Sequence, residues 1–534
     1  LKPNHSKCEF AGIGVLKSVK VAVCGMKCID LCKDTMKIVG IHHCYDKNKY
    51  LENNFCEAIA KIENVLKLWR MRNLTLEGKI TVFKNLAISK ITFLSFMSNV
   101  PKSIIEQLKR IQNEFLWNGL NPKIKHNTLS LDFKNGGLKN VDVDKKVISL
   151  RSSWVRKMYD NTCHDWKIIP SFLIKKYLGE NFQFHSNLHF RNSMIQNIPS
   201  FYKEILKDWK QFFSSFTVIP SCILSQHLWY NRFIKVDNLG ICFSKFAARN
   251  VNNVIDLFAS NGKIKTWSLL KNEFDLSNDM YFQWMQIINA IPKKWKQNLL
   301  EQTSENPINV VFKEHHIIKN PGIVSLNKLI SKEIYNYLIT EKFDKPTSQK
   351  YFENLFNDQN LKWELIYTLP RKITKDSYTR NFQYKILNNI LYLNKKLYLF
   401  GKVETPLCSY CMLYDESIIH LFWNCVYVKN LWQQLQLYFN DDFKLPDLTL
   451  QTAIFGFWNS KDYDNEIFQL INHLLLIFKI NIYKAREKKC LNFQKLIVKI
   501  EKVKKIENRI ASSDRWKIVR FEKKWSKTDR KIPI

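Results

Sequence analysis

Four residues of metal-binding type stand close together near the far end of this chain, Cys408, Cys411, His420 and Cys425, in the pattern C-x2-C-x8-H-x4-C. A chain with such a set is constrained to fold around it. Two cysteines separated by two residues can place both thiolates on one ion from a tight knuckle, and the His and Cys of the second half complete a closed tetrahedron. Four protein ligands leave no open coordination position, so the ion expected is a structural Zn2+. Residues 416–422 read as helical, with Asp415 or Ser417 near the start, and Leu421, Phe422 and Trp423 can bury beside the metal. A separation of five residues leaves one face of an α-helix, which predicts that the chain bends or tightens between His420 and Cys425.

Two other patterns carry less. Cys24, Cys28 and Cys32, followed by His42, His43 and Cys44, fall on predicted strands and turns, where spacings of four do not converge, so they read as buried thiols. Phe439-Asn440-Asp441-Asp442 spells the aromatic-x-Asp-Asp string that holds two metal ions in polymerases. It follows a helix and has no partner aspartate on a predicted strand, so it reads as a solvated turn.

Charge narrows the class of partner. The 534 residues include 83 Lys and Arg against 48 Asp and Glu, a net +35, which points to a polyanion and first to nucleic acid. With 46% of positions apolar the chain can bury several cores and is a multidomain globular protein. Residues 479–534 alone hold 19 Lys and Arg against 6 Asp and Glu. Leu491, Ile497, Val498, Val503 and Ile506 make this a basic helical tail and not a disordered arm. The longest apolar run, 467–478, is broken by Asn472 and His473 and is too short to span a bilayer, so no membrane partner is expected. The opening Leu1-Lys2-Pro3-Asn4-His5-Ser6-Lys7 lacks the layout of a secretory signal and reads as the interior of a longer protein. Thirteen cysteines then fit reduced thiols or metal ligands, in the nucleus or cytoplasm and not in a secreted protein.

In chain order, residues 1–50 read as short β elements, with stretches 19–23 and 36–41 punctuated by Gly12, Gly14, Gly25 and Gly40. From 55 the period turns helical, with Ile59, Ile62, Leu66 and Trp69 on one face. Thr75 can cap a second helix through Ile80, Phe83, Leu86, Ala87, Ile91 and Leu94. Pro101 can start a third, ending near Trp117. Together these make a small bundle whose polar faces carry Lys79, Lys84, Lys90, Lys102, Lys109 and Arg110. Residues 140–370 read as mostly helical, with Asn-rich breaks near 187–197, 249–253 and 304–309 and with tryptophans that serve the core.

These residues also carry a resemblance. Leu1 to Glu9 and Val39-Gly40-Ile41 look like the last two palm motifs of a reverse transcriptase. Trp69-Arg70-Met71-Arg72-Asn73-Leu74-Thr75-Leu76-Glu77-Gly78-Lys79 is similar to a thumb signature, and Phe115-Leu116-Trp117-Asn118-Gly119 with Gly136-Gly137-Leu138 to the segment beyond it. Arg380-Asn381-Phe382-Gln383-Tyr384-Lys385, the four ligands, His420-Leu421-Phe422-Trp423-Asn424-Cys425 and Leu431-Trp432 resemble the zinc-binding module that ends these enzymes. Nearly the whole chain thus resembles the C-terminal half of a non-LTR retrotransposon reverse transcriptase, of the long interspersed element type.

The resemblance implies a mainly α fold. It divides into the end of the palm (1–50, a small β remnant), a helical thumb (51–140), a helical connecting region (141–370), a Cys3His zinc module (371–440) and a basic C-terminal helical region (441–534). It implies backbone contacts with template RNA, an RNA/DNA hybrid and a DNA target through Lys67, Arg70, Arg72, Lys79, Lys84, Lys90, Arg380, Lys385, Lys479 and Arg486, and an accessory catalytic role for Lys7. The catalytic aspartates and their Mg2+ ions would belong to an N-terminal polymerase half, which is then a partner, so no polymerisation is expected of these residues alone. A non-catalytic host protein derived from such an element, or an inactive relic, are the alternatives.

Overall fold

The computed structural model describes residues 8–16, 27–159, 162–178, 196–213, 223–224, 228–229, 231, 233–259, 261–302, 316–319, 322–325, 329–340, 345–440, 448–458 and 466–528. The fold is mainly helical, as expected. Lys7, the 19–23 stretch, Gly25, Cys24, Asp441-Asp442 and the breaks at 187–195 and 304–309 lie outside the described residues.

Strands β1 (Met36–Ile38) and β2 (Ile41–His43) pair antiparallel around a two-residue turn, Val39-Gly40. Both turn residues have positive φ, 47° and 82°, as a tight hairpin turn of this hand requires. Helix α1 (Glu57–Arg70) buries Ile59, Ile62 and Leu66, the face its period predicts. Thr75 caps α2 (Leu76–Val82) by accepting from Gly78 N at 3.1 Å. The helix expected to continue is interrupted by a π-helical turn at Phe83–Ala87 and restarts as α3 (Ser89–Met97); Leu86, placed on the core face by sequence, is 39% exposed in consequence. Pro101 supplies the first carbonyl of α4 (Lys102–Trp117), which Ile104 N meets at 3.1 Å.

Further along are α5 (Val143–Tyr159), α6 (Ser200–Phe213), α7 (Ser331–Thr340), α8 (Trp363–Ile373), α9 (Ser377–Leu387), α10 (Asn394–Leu399) and α11 (Val426–Asn440). The chain closes with α12 (Glu466–Ala485), α13 (Phe493–Ala511) and α14 (Arg515–Trp525).

Two compact units share these elements, and neither is contiguous in sequence. The first holds Leu1–Ile62, Ile88–Lys109 and Asp142–Phe343. There α5 packs against α6 and α7 around Val155, Ile205, Trp209, Phe212 and Leu338. A buried Arg151–Asp208 pair at 2.5 Å joins α5 to α6, and burial pushes the Asp208 carboxyl up to about 6 against the pull of Arg151. A second core gathers Trp229, Phe246, Leu257, Leu270 and Ile287. The second unit holds Glu63–Ala87, Arg110–Val141 and Asp344–Ile534. Residues 51–140, read as one bundle, therefore contribute to both.

In the second unit a single core runs from Phe352 to Trp525. At its centre α12 buries Leu470, Ile471, Leu474, Leu475, Leu476, Ile477 and Phe478, so it is covered on every side. This is the apolar run of the sequence. Among the described residues no single helix is long and apolar enough to cross a membrane. Its polar interruptions have specific partners. Asn472 Oδ1 accepts from Phe457 N at 2.7 Å, and His473 Nδ1 lies 2.9 Å from Lys524 Nζ. The tail is thus built into the core with the metal-ligand segment, where two separate regions were expected. Its buried face is Leu496, Ile497 and Ile500, while Val498 and Ile506 point outward, 48% and 58% exposed. The tail's apolar residues exceed one face, and packing against α12, α14 and α11 selects which of them is buried.

Candidate metal centre

The knuckle is a tight turn closed by an antiparallel bridge between Leu407 and Asp415. Cys408 N donates to Tyr414 O at 2.8 Å and Met412 N to Cys408 O at 3.0 Å; Met412 takes the left-handed conformation, φ 54°, that ends the turn. The second half is a π-helical turn, His420–Asn424, in which Cys425 N donates to His420 O at 2.8 Å. An i to i+5 bond widens the helix so that residues five apart share a face. The expected bend or tightening is therefore a widening.

The four ligand atoms lie within 4.8 Å of one another, and among the described residues this is the one grouping of its kind. Cys408 Sγ is 3.9 Å from Cys425 Sγ, and Cys411 Sγ is 3.2 Å from His420 Nε2. Tetrahedral Zn2+, with bonds of about 2.3 Å to sulfur and about 2.0 Å to nitrogen, needs edges of roughly 3.8 Å and roughly 3.5 Å. The residues fit that ion. Donation from Cys408, followed by N–H groups of Tyr427 and Val428 at the start of α11, lowers the Cys425 thiol below its ordinary range. Sharing its proton with Cys425, and then burial, push Cys408 up. Burial lowers His420, so its imidazole is neutral at pH 7, the form a metal ion takes.

Behind the knuckle stands Glu416, 0% exposed and missed by sequence reading. Its Oε1 accepts from Asn394 N and its Oε2 from Ser409 N, each at 3.0 Å, and Arg486 pairs with it from the end of α12. Arg486 also donates to the carbonyls of Tyr392 and Tyr483, both at 3.1 Å. Tyr410 OH reaches Ile482 O at 2.6 Å, a second tie from knuckle to α12. No sequence spacing signals this: Glu416 and Arg486 are seventy positions apart.

Compared with known proteins, the chain matches no family model and no curated protein.

The basic residues read as nucleic-acid contacts divide into three groups. Lys67, Arg72, Lys84 and Lys90 are exposed, with the Arg72 guanidinium over the Trp69 ring at 5.1 Å. Arg70 is exposed but paired with Glu114 at 3.0 Å. Arg380 shares Glu77 Oε1 with Arg371, at 3.5 and 3.0 Å, and Lys385 is half-buried, which lowers its amine. Three need correction as phosphate contacts. Arg486 is the strut just described. Lys79 is buried and donates to Phe115 O, Leu116 O and Asn118 Oδ1, closing the end of α4. Lys479 is 1% exposed and donates to Gln383 Oε1 at 2.8 Å and Ile454 O at 2.9 Å. The reading from charge alone could not see that these cations serve buried carbonyls.

Among the described residues Lys479 has no carboxylate partner, and burial lowers its amine from 10.5 to about 7. Between these values the unfolded chain binds one more proton than the folded one, so stability rises with pH across that window and is lowest below it. Relative to Lys479→Met, the wild type should gain on the order of 1 kcal/mol for each pH unit from 7 towards 10. Urea melts of both proteins at several pH values check this; a constant difference would refute a neutral buried amine.

Elsewhere, Cys28 and Cys44 are half-buried and Cys32, in a turn, is exposed, contrary to the reading as buried thiols.

Proposed function

We propose that this chain is the nucleic-acid-holding C-terminal part of a non-LTR retrotransposon reverse transcriptase, with a structural Zn2+ in its Cys3His centre. The observation that carries the reading is the convergence of Cys408, Cys411, His420 and Cys425 to within 4.8 Å, at the positions where the resemblance puts zinc ligands. The ion would pin the knuckle and the π turn to one point, and the protein's own contribution is to hold His420 neutral and to lower the Cys425 thiol. The net charge of +35 and the exposed Lys67, Arg72, Lys84 and Lys90 support a polyanionic partner held by its phosphates. An RNA template and its hybrid with DNA suit such contacts, since a duplex that translocates is gripped by backbone and not by base. Chemistry on that duplex would fall to aspartates and Mg2+ in the polymerase half.

The purified chain should carry one zinc ion and bind an RNA/DNA hybrid at low ionic strength, with affinity falling steeply as salt rises. Replacing Lys67, Arg72 and Lys84 by alanine should flatten the log–log salt slope by between about two and three. A chain that binds neither RNA nor hybrid at low salt would refute the proposal.

A further inference from the structure

Most of the tail's described basic residues are exposed, and on α14 their placement is specific. On α14, Phe521 and Trp525 face the core, 7% and 1% exposed. Trp525 Nε1 donates to Glu507 Oε2 at 2.8 Å, and Lys524 pairs with Glu507 and His473. The opposite face carries Trp516, Val519, Arg520 and Lys523, the i, i+3, i+4, i+7 positions of one helical stripe, with Arg515 beside them.

Trp516 is the anomaly. It is 86% exposed, while the next most exposed of the fifteen tryptophans, Trp166, is at 38%. It makes no ring contact among the described residues. Arg515, Arg520 and Lys523 are exposed and have no acidic partner there; Lys517 alone on this helix is paired with an acid outside the core cluster, Asp514, at 3.2 Å. The preceding helix α13 adds Lys502, Lys505 and Arg509, also exposed. An open indole amid unpaired cations has the two elements of a single-strand platform, a π-face for one base and charges for the flanking phosphates.

We propose that the outer face of α14 is a binding site for unpaired nucleotides, with Trp516 stacking on a base and Arg515, Arg520 and Lys523 holding the strand on either side. This rests on the function proposed above and adds to it a second surface, which selects single strands where a thumb grips a duplex. Bases in a duplex offer no free π-face to an indole on a helix. An anionic membrane is the other partner such a stripe suggests, but insertion needs a broad apolar face. Here that face is spent on the core through Phe521 and Trp525, which leaves Trp516 and Val519.

The test uses the full chain with a labelled twenty-nucleotide RNA, the same RNA in duplex, and vesicles of phosphatidylcholine and phosphatidylserine. Trp516→Ala should weaken single-strand binding about five- to a hundredfold with an unchanged salt slope, leave duplex binding and the melting temperature unaltered, and be largely rescued by Trp516→Phe. The triple change of Arg515, Arg520 and Lys523 to Gln should flatten the single-strand salt slope by about two. The site is refuted if Trp516→Ala leaves single-strand affinity intact, if single strand and duplex weaken equally, or if vesicle binding is lost while RNA binding persists. A wild-type chain with no affinity for any nucleic acid would refute the function and the site together; one that binds but ignores Trp516 refutes the site alone.

Discussion

Replacing both Cys408 and Cys411 by serine is expected to abolish stoichiometric zinc binding and to unfold residues 400–440. The size of the effect follows from the energy involved. A structural zinc ion bound by thiolates and imidazole contributes about 10–16 kcal/mol of folding free energy, comparable with the whole stability of an ordinary domain. The knuckle's other ties, the Leu407–Asp415 bridge, the Glu416 carboxylate and the Tyr410 hydroxyl, are worth less than that, and Met412, Leu413 and Tyr414 at its tip are 47%, 71% and 66% exposed. The loss should spread, because Leu421, Phe422, Cys425 and Val428 belong to the core that contains α12. Hydrogen exchange should therefore rise in 400–440 first and in α12 next. Cys490→Ser, which removes an exposed free thiol, is the control and should keep its zinc. Full metal content in the double variant would show the ligand assignment to be mistaken.

Glu416→Ala should cost about 3–5 kcal/mol, the usual penalty for orphaning one member of a buried ion pair. Glu416 is 0% exposed and Arg486 12%, so removing the carboxylate strands a guanidinium in a place water hardly reaches. It also frees two half-buried backbone donors, Asn394 N and Ser409 N. Arg486→Met should cost a similar amount for the converse reason. The double variant Glu416→Gln, Arg486→Met should fall well short of the sum of the two losses, since it removes both charges at once. Urea denaturation of the four proteins decides the matter, and single-variant losses below about 1 kcal/mol would refute the strut. Arg486→Met should leave the salt slope of RNA binding unchanged, which separates this role from phosphate contact.

Local signals in the sequence were reliable where local physics decides the outcome. The Thr75 cap, the buried face of α1 and the start of α4 after Pro101 all depend on a few neighbouring residues and stand in the structure as expected. The grouping of Cys408, Cys411, His420 and Cys425 was legible because chelation restricts both residue type and interval, and the structure brings the four together. Legibility ended where an outcome depends on residues far apart. Lys79, Lys479 and Arg486 look like surface cations until the distant carbonyls and the carboxylate they satisfy come into view. The interval between His420 and Cys425 announced a departure from α-helix, but the hydrogen-bond register that makes it a π turn is not written in the interval. The tail's charge masked a core helix hairpin because its apolar positions exceed one face, and contact with α12, α14 and α11 decides among them.

The interleaving of the two units also governs the order in which the chain can acquire its structure. Glu77 on α2 ends in an ion pair with Arg371 and Arg380, so an early helix is completed by partners nearly three hundred positions later. At roughly 5–20 residues per second on a ribosome, residues 63–87 wait on the order of tens of seconds for the remainder of their unit. During synthesis their apolar side remains open, and chaperone occupancy and early aggregation should concentrate on that stretch and not on α12 to α14, which emerge after most of their neighbours and find them at once.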